Sequence, residues 1–337
     1  MKLSSYYEKL ANRAVRCTLC RHRCIIREGE SGICRVRVNK EGKLYSLVYG
    51  YPIALHIDPI EKKPLFHFLP GSNALSIATV GCNFRCKFCQ NWDISQLPRD
   101  YNRVEGYKVS PEEVVGAALR SGSTIISYTY TEPTIFFEYA LDISKLAVKK
   151  GIKNTFVTNG YVTEEALKDI APYLHGANID LKSMNPKFYA SVIGARLNEV
   201  LDGIKTYKKF GIWLEITTLI IPGYNDSEDE LREIARFIRD ELGDGTPWHV
   251  SRFYPAYKFK HVPSTQISAV RRAREIGLEE GLKYVYTGNI PGNAGEDTHC
   301  PSCGEVLIRR WGFSVVEYNI TNGKCRFCGE KIDGVWK

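Results

Sequence analysis

The eleven cysteines of this 337-residue chain fall into three groups: four between positions 17 and 34, three between 82 and 89, and four between 300 and 328. Clusters at C-x2-C spacing read as metal sites rather than as disulfides, which a reducing cytosol does not keep. The central loop runs Gly81-Cys82-Asn83-Phe84-Arg85-Cys86-Lys87-Phe88-Cys89-Gln90-Asn91, a C-x3-C-x2-C spacing with an aromatic before the last cysteine. Three thiolates on one short loop suit three irons of a [4Fe–4S] cube, which otherwise takes four. The fourth iron is then open to a substrate. Zinc with a distant fourth ligand is the competing reading, because the loop itself offers no further Cys or His.

The outer groups ask for different chemistry. Cys300-Pro301-Ser302-Cys303-Gly304 and Cys325-Arg326-Phe327-Cys328-Gly329 are two C-x2-C-G knuckles, the pattern of a zinc ribbon or rubredoxin-like module. Zinc is the expected metal, with a single iron as runner-up, since both accept four tetrahedral thiolates. So small a module depends on its metal to fold. Cys17, Cys20, Cys24 and Cys34 form C-x2-C-x3-C-x9-C, which is not the ferredoxin run. There the reading leans to zinc, with an electron-relaying auxiliary cluster as the competitor.

Composition narrows the setting. With 44% hydrophobic and 25% charged residues the chain reads as a soluble globular protein. No apolar run approaches the ~20 residues of a membrane span, and the start has no apolar signal core. A cytoplasmic protein with no membrane partner is expected. The net charge is +8, and seven arginines, from Arg13 to Arg37, crowd the first cysteine group. A solvated face and charge balance for thiolates explain them, and no RNA-binding motif accompanies them, so nucleic acid is not an expected partner.

Three regions have to position these groups: a Cys-rich N-terminal extension over 1–70, a central domain over 71–297, and a short tail over 298–337. The extension carries one strand-like run, 44–49. In the central domain strand-like runs at 74–80, 124–128, 153–157, 177–181, 213–221, 249–253 and 283–286 alternate with helical ones. Ser110-Pro111-Glu112-Glu113 starts a helix with a cap, a proline at the first position and acids at the positive end. Further helices are expected at 134–150, from Thr163, across 227–242 and near 267–280. About seven β/α alternations predict parallel βαβ units closed fully or partly into a barrel, with the active site at the C-terminal strand ends. The cysteine loop, Glu132, Asn159, Asp180, Lys182 and Asn289 all fall at such ends.

The central loop resembles the cysteine motif of the radical S-adenosylmethionine (SAM) superfamily. Its flanks, Gly81-Cys82-Asn83 and Cys89-Gln90-Asn91, are similar to the branch containing the pyruvate formate-lyase activating enzymes. Nearly the whole chain resembles the radical SAM member of the AmmeMemoRadiSam system. The resemblance implies a partial (β/α) barrel in which SAM chelates the open iron of a cluster on Cys82, Cys86 and Cys89. Reductive cleavage then gives a 5′-deoxyadenosyl radical that abstracts hydrogen from a substrate, and the electron comes from a donor such as a ferredoxin or flavodoxin.

The resemblance extends to single residues. Tyr130-Thr131-Glu132-Pro133 is similar to the GGEP-type motif that contacts the SAM amino group, although Tyr130 and Thr131 replace its glycines. Thr158-Asn159-Gly160 matches a segment near SAM. Asp180-Leu181-Lys182 matches one near the SAM ribose and carboxylate. The run 221–226 resembles a proline-glycine loop, His249 and Tyr254 fall in the strand and loop facing the site, and Gly288-Asn289 falls close to the adenine or substrate. Each has a plainer reading: a helix start, a turn, a surface ion pair, or a core histidine. The activating-enzyme likeness implies a protein substrate, with small-molecule, cofactor or RNA modification as the alternative. A noncatalytic zinc protein that binds nucleic acid is the reading from another class.

Overall fold

The computed structural model describes residues 1–290, 292 and 294–336. Its largest sheet has eight strands: β1 (Ala54–Pro59), β2 (Asn73–Ala78), β3 (Ile125–Tyr128), β4 (Lys153–Thr158), β5 (Gly176–Asp180), β6 (Trp213–Ile220), β7 (Trp248–Arg252) and β8 (Val285–Gly288). Chain order is also sheet order, so each strand lies beside its predecessor. β1 runs antiparallel to β2, and the seven strands from β2 to β8 are parallel. Helices α1 (Pro111–Arg120), α2 (Phe137–Lys149), α3 (Glu164–Ile170), α4 (Leu197–Lys209), α5 (Glu228–Phe237) and α6 (Ile267–Glu279) cross over between them. β1 and β8 are the two edges, and among the described residues no ladder joins them, so the barrel is partial.

Local sequence explains these elements. Ile125-Ile126-Ser127-Tyr128 is buried at every position, as a parallel strand covered on both faces requires. The Ser110 hydroxyl accepts from the Glu113 backbone N–H, and the Glu113 carboxylate accepts from the Ser110 N–H at 2.6 Å, a reciprocal cap at the start of α1. The helix expected over 134–150 opens with a 3-10 turn, Pro133–Phe136, and the one over 227–242 ends in a π-turn, Ile238–Leu242. The strand expected at 44–49 forms at Lys43–Ser46.

The stretch 1–70 divides between two structures. Two small three-stranded sheets precede β1, whereas β1 itself belongs to the large sheet. Val15, Leu19, Ile26, Val36 and Leu44 share one apolar core with that sheet and its helices. Arg37, buried, forks onto the equally buried Glu138 of α2. Arg13, Arg16, Arg21 and Arg23 pair with Glu28, Glu8, Glu199 and Glu165, so five of the seven arginines are balanced locally.

The tail packs under the N-terminal ends of the strands. Its three-stranded sheet (Thr298–His299, Val306–Trp311, Ser314–Tyr318) shares a second core with Phe66, Tyr284 and Tyr286. The buried Arg310 guanidinium lies 4.2 Å over the Phe66 ring and donates to the Phe66 carbonyl at 2.8 Å. None of the eleven cysteines forms a disulfide. Among the described residues no helix is long and apolar enough to cross a membrane.

Candidate active site

The loop after β2 carries Cys82, Cys86 and Cys89 to the C-terminal end of the sheet, where a cavity of about 520 Å³ opens. Its lining includes the three cysteines, Glu132 after β3, Asn159 after β4, Asp180 and Lys182 at the end of β5, Thr217 and Leu219 of β6, Ser251 of β7 and Asn289 after β8. Residues 207 positions apart, Cys82 and Asn289, therefore face one space. Such a site at the strand ends is where a parallel sheet brings its loops together.

Burial pushes the three thiols up, Cys86 to about 12, so an apo thiolate is disfavoured there. A cationic metal centre supplies the missing charge, because ligand thiols lose their protons on binding. Donors to the sulfurs are already in place. The Phe84 backbone N–H points to Cys82 Sγ at 3.3 Å, and Ser95 Oγ lies 3.2 Å from Cys89 Sγ. Three sulfurs beside a cavity of ligand size, Cys86 buried and Cys82 and Cys89 half-buried with donors already aimed at them, fit an iron–sulfur cluster with one open iron and a bound small molecule.

The Glu132 carboxylate is buried and accepts four hydrogen bonds: from the Thr134 N–H and hydroxyl (3.0 and 2.6 Å), the Thr158 hydroxyl (2.8 Å) and the Asn159 N–H (2.8 Å). It clamps the loop after β4 to the loop after β3. Asn159 Nδ2 in turn donates to Asn83 Oδ1 at 2.7 Å, which ties that loop to the cysteine loop. Lys182 Nζ donates to Asp180 Oδ2 at 2.8 Å. Burial works against the Lys182 charge, but Asp180 and then Cys86 outweigh it and hold the ammonium above its ordinary range. The rim is stitched as well: Gln90 donates to the Tyr254 carbonyl, Asn91 to the Tyr130 carbonyl, and the Tyr254 hydroxyl to the Asn289 carbonyl.

His249 is the expected site residue that the structure does not bring to the cavity. It lies on the same face of β7 as Ser251 but one pleat nearer the N-terminal end. There its Nε2 meets Glu215 Oε2 at 2.7 Å and its ring packs edge-on to Phe66 at 4.8 Å. The alternation of the strand set its face correctly, and the depth of Phe66 and the tail beneath decided which layer it occupies. Tyr254 reaches only the rim.

Other residues of the site carried no signal in the sequence. Lys63, after β1, lines the cavity although it is almost wholly buried. Its Nζ donates to Asp58 Oδ2 at 2.6 Å and lies 4.4 Å from the Tyr130 ring centroid. Burial pulls its pKa down to about 8, with Asp58 recovering part of the loss. Tyr130, where the similar motif has glycine, adopts a left-handed φ of 60°, and its hydroxyl donates to Asp58. A lysine in a sequence is ordinarily a surface residue, so only the tertiary pairing of β1 with β2 reveals Lys63.

The tail cysteines converge differently. Their four sulfurs lie within 4.8 Å of one another, with Cys300 and Cys328 3.6 Å apart and Cys303 and Cys325 3.8 Å apart. Sulfurs about 2.3 Å from one zinc stand about 3.8 Å apart at tetrahedral angles. The group fits a single zinc or iron.

Comparison with known proteins agrees with this geometry. The family model described as the radical SAM superfamily matches residues 76–238. The chain is 49% identical over 335 residues to an uncharacterized protein of Methanocaldococcus jannaschii, with 99% of each chain covered. It is 27% identical over 170 residues to the pyruvate formate-lyase-activating enzyme of Clostridium pasteurianum, covering 48% of this chain and 67% of that one. Streptococcus suis SuiB bound to S-adenosylmethionine shares the fold at a TM-score of 0.50 and 17% identity, covering 68% of this chain and 52% of that one. Cysteine loop, strand-end cavity and sequence likeness meet in one conclusion: the chain belongs to the radical SAM superfamily, whose members bind a [4Fe–4S] cluster and S-adenosylmethionine, and is related to the pyruvate formate-lyase activating enzymes.

Proposed function

We propose that the chain is a catalyst that generates a 5′-deoxyadenosyl radical from SAM and abstracts a hydrogen atom from a substrate. The observation that carries this reading is the set of three thiols that line the 520 Å³ cavity together. A [4Fe–4S] cluster held by Cys82, Cys86 and Cys89 would supply the electron and the open iron that bind and cleave SAM. Lys182 and Lys63 place positive charge beside the cavity, suited to a carboxylate, and Asp58 and Asp180 hold both ammonium groups in position. Glu132, Asn159 and Asn289 fix the loops that shape the ligand's surroundings. Their direct contacts with SAM are part of the proposal. The walls from β6 and β7 keep bulk water from a reactive intermediate.

The substrate is read as a protein, by analogy with the activating-enzyme relatives, and the electron donor as a low-potential protein such as a ferredoxin or flavodoxin. Work in the cytoplasm is part of this reading, since cysteines grouped as metal ligands suit a reducing compartment. A second reading, modification of a small molecule, draws on 28% identity over 172 residues to the GTP 3′,8-cyclase of Aquifex aeolicus. One experiment separates them. The reconstituted protein is given SAM, dithionite and a deuterated cell extract split by size. Deuterium entering 5′-deoxyadenosine from the macromolecular fraction supports the protein reading. Deuterium only from the small-molecule fraction overturns it.

A further inference from the structure

Cys17, Cys20, Cys24 and Cys34 enclose a second, separate space. With Leu19, Ile26, Ile33 and Ile135 they line a largely apolar cavity of about 20 Å³ beneath the extension. A void of that size holds a body as large as a water molecule beyond the sulfurs themselves. A structural zinc leaves no such room, because four sulfurs close directly around the ion, as the tail cysteines do. Among the described residues the tail is the one place where three or more Cys, His, Asp or Glu ligand atoms come within 4.8 Å of one another. The Cys17 group is not drawn into such a knot and surrounds the 20 Å³ space instead.

Two further observations point to an occupant that accepts hydrogen bonds. Arg37 Nε and Asn83 Nδ2 are buried and have no partner among the described residues, and both residues line this cavity. Arg37 and Asn83 are 2% and 1% exposed, so neither donor turns to solvent. An orphaned buried donor is costly unless something accepts from it, and sulfides and thiolates of a cluster accept such bonds.

We propose that Cys17, Cys20, Cys24 and Cys34 hold an iron–sulfur cluster of the four-thiolate kind, in place of the zinc that their spacing first favours. It is a second cluster, distinct from the one on Cys82, Cys86 and Cys89. The fold sets the two side by side. Asn83 lines the second cavity while its chain neighbour Cys82 lines the first. A Cβ on Gly81 would meet Val36 Cγ1 at 2.8 Å and the Cys34 carbonyl at 3.2 Å, so glycine there lets the two cysteine loops press together. The arrangement suits one-electron transfer: the second cluster is oxidised by one electron as the first is reduced by one. A low-potential one-electron donor, dithionite in the assay, restores the second.

The test uses the full chain with Cys82, Cys86 and Cys89 changed to Ala, reconstituted anaerobically with iron and sulfide while zinc is supplied. The proposal predicts a brown protein that retains iron with an equal amount of acid-labile sulfide, about four of each for a cubane. It also predicts a paramagnetic signal on reduction. A colourless protein carrying zinc at the Cys17 group and no sulfide would overturn it. Should that variant not fold, the comparison is made between wild type and Cys17→Ser/Cys34→Ser. The double variant must lose one cluster's iron and sulfide and keep the other's, and an unchanged count would contradict the proposal. Because the triple variant lacks the SAM-site cysteines, its result is independent of whether the chain cleaves SAM.

Discussion

At the scale of single residues, the spacing of the cysteines was legible because a short loop fixes which sulfurs can share a centre. Glu132 was legible by resemblance, but its four hydrogen bonds were not, since two come from Thr158 and Asn159, which only folding brings near. Gln at 132 would turn one acceptor into a donor facing donors. We expect Glu132→Gln to lower stability by about 1–3 kcal/mol in urea unfolding. An unchanged midpoint would contradict the clamp.

Lys63 gives a second residue-level prediction. Its folded pKa of about 8 lies below the ordinary 10.5, so in that window the unfolded chain binds the proton that the folded chain releases. Stability from this residue therefore rises with pH between about 8 and 10.5 and is least below 8. The unfolding free energy of wild type minus that of Lys63→Met should climb by a few kcal/mol across the window. A flat difference would show that Lys63 is not held in its buried position.

At the scale of elements, seven strands could be placed from sequence because parallel strands are short apolar runs between helices. β1 could not, being an antiparallel edge whose Ile57 is more than half exposed and whose pattern carries no clear period. The depth of a residue along its strand was equally hidden, which is why His249 was expected in the cavity and lies a pleat below it. The structure gives that layer its own role. Glu215, wholly buried, accepts from the Phe66 and His67 N–H groups, from Trp213 Nε1 and from His249, pinning the segment before β2 to β6 and β7. Glu215→Gln should cost about 2–4 kcal/mol of stability and leave SAM affinity, measured by equilibrium dialysis, unchanged. A loss of affinity with intact stability would return this layer to the active site.

At the scale of the whole molecule, the extension and the tail act on opposite ends of one sheet. The extension shares the core of the barrel and touches the cysteine loop, whereas the tail packs beneath the strands with a small core of its own. The limits at 70 and 297 followed changes in cysteine content, and sequence could not show that residues 54–59 join the large sheet. Removing metal from the tail should release Arg310 and Phe66 together. A chelator that strips the Cys300 group is expected to lower the melting temperature by several degrees and raise protease sensitivity after residue 297, and an unaffected melt would make the tail an independent appendage.

The most direct test of the central claim is anaerobic. The protein is reconstituted with iron and sulfide, given SAM and dithionite, and assayed for 5′-deoxyadenosine by mass spectrometry beside the Cys82→Ala/Cys86→Ala/Cys89→Ala variant. The account predicts 5′-deoxyadenosine from the wild type and none above background from the variant. Equal product from both, or a wild-type protein that takes up no cluster at Cys82, Cys86 and Cys89, would contradict it.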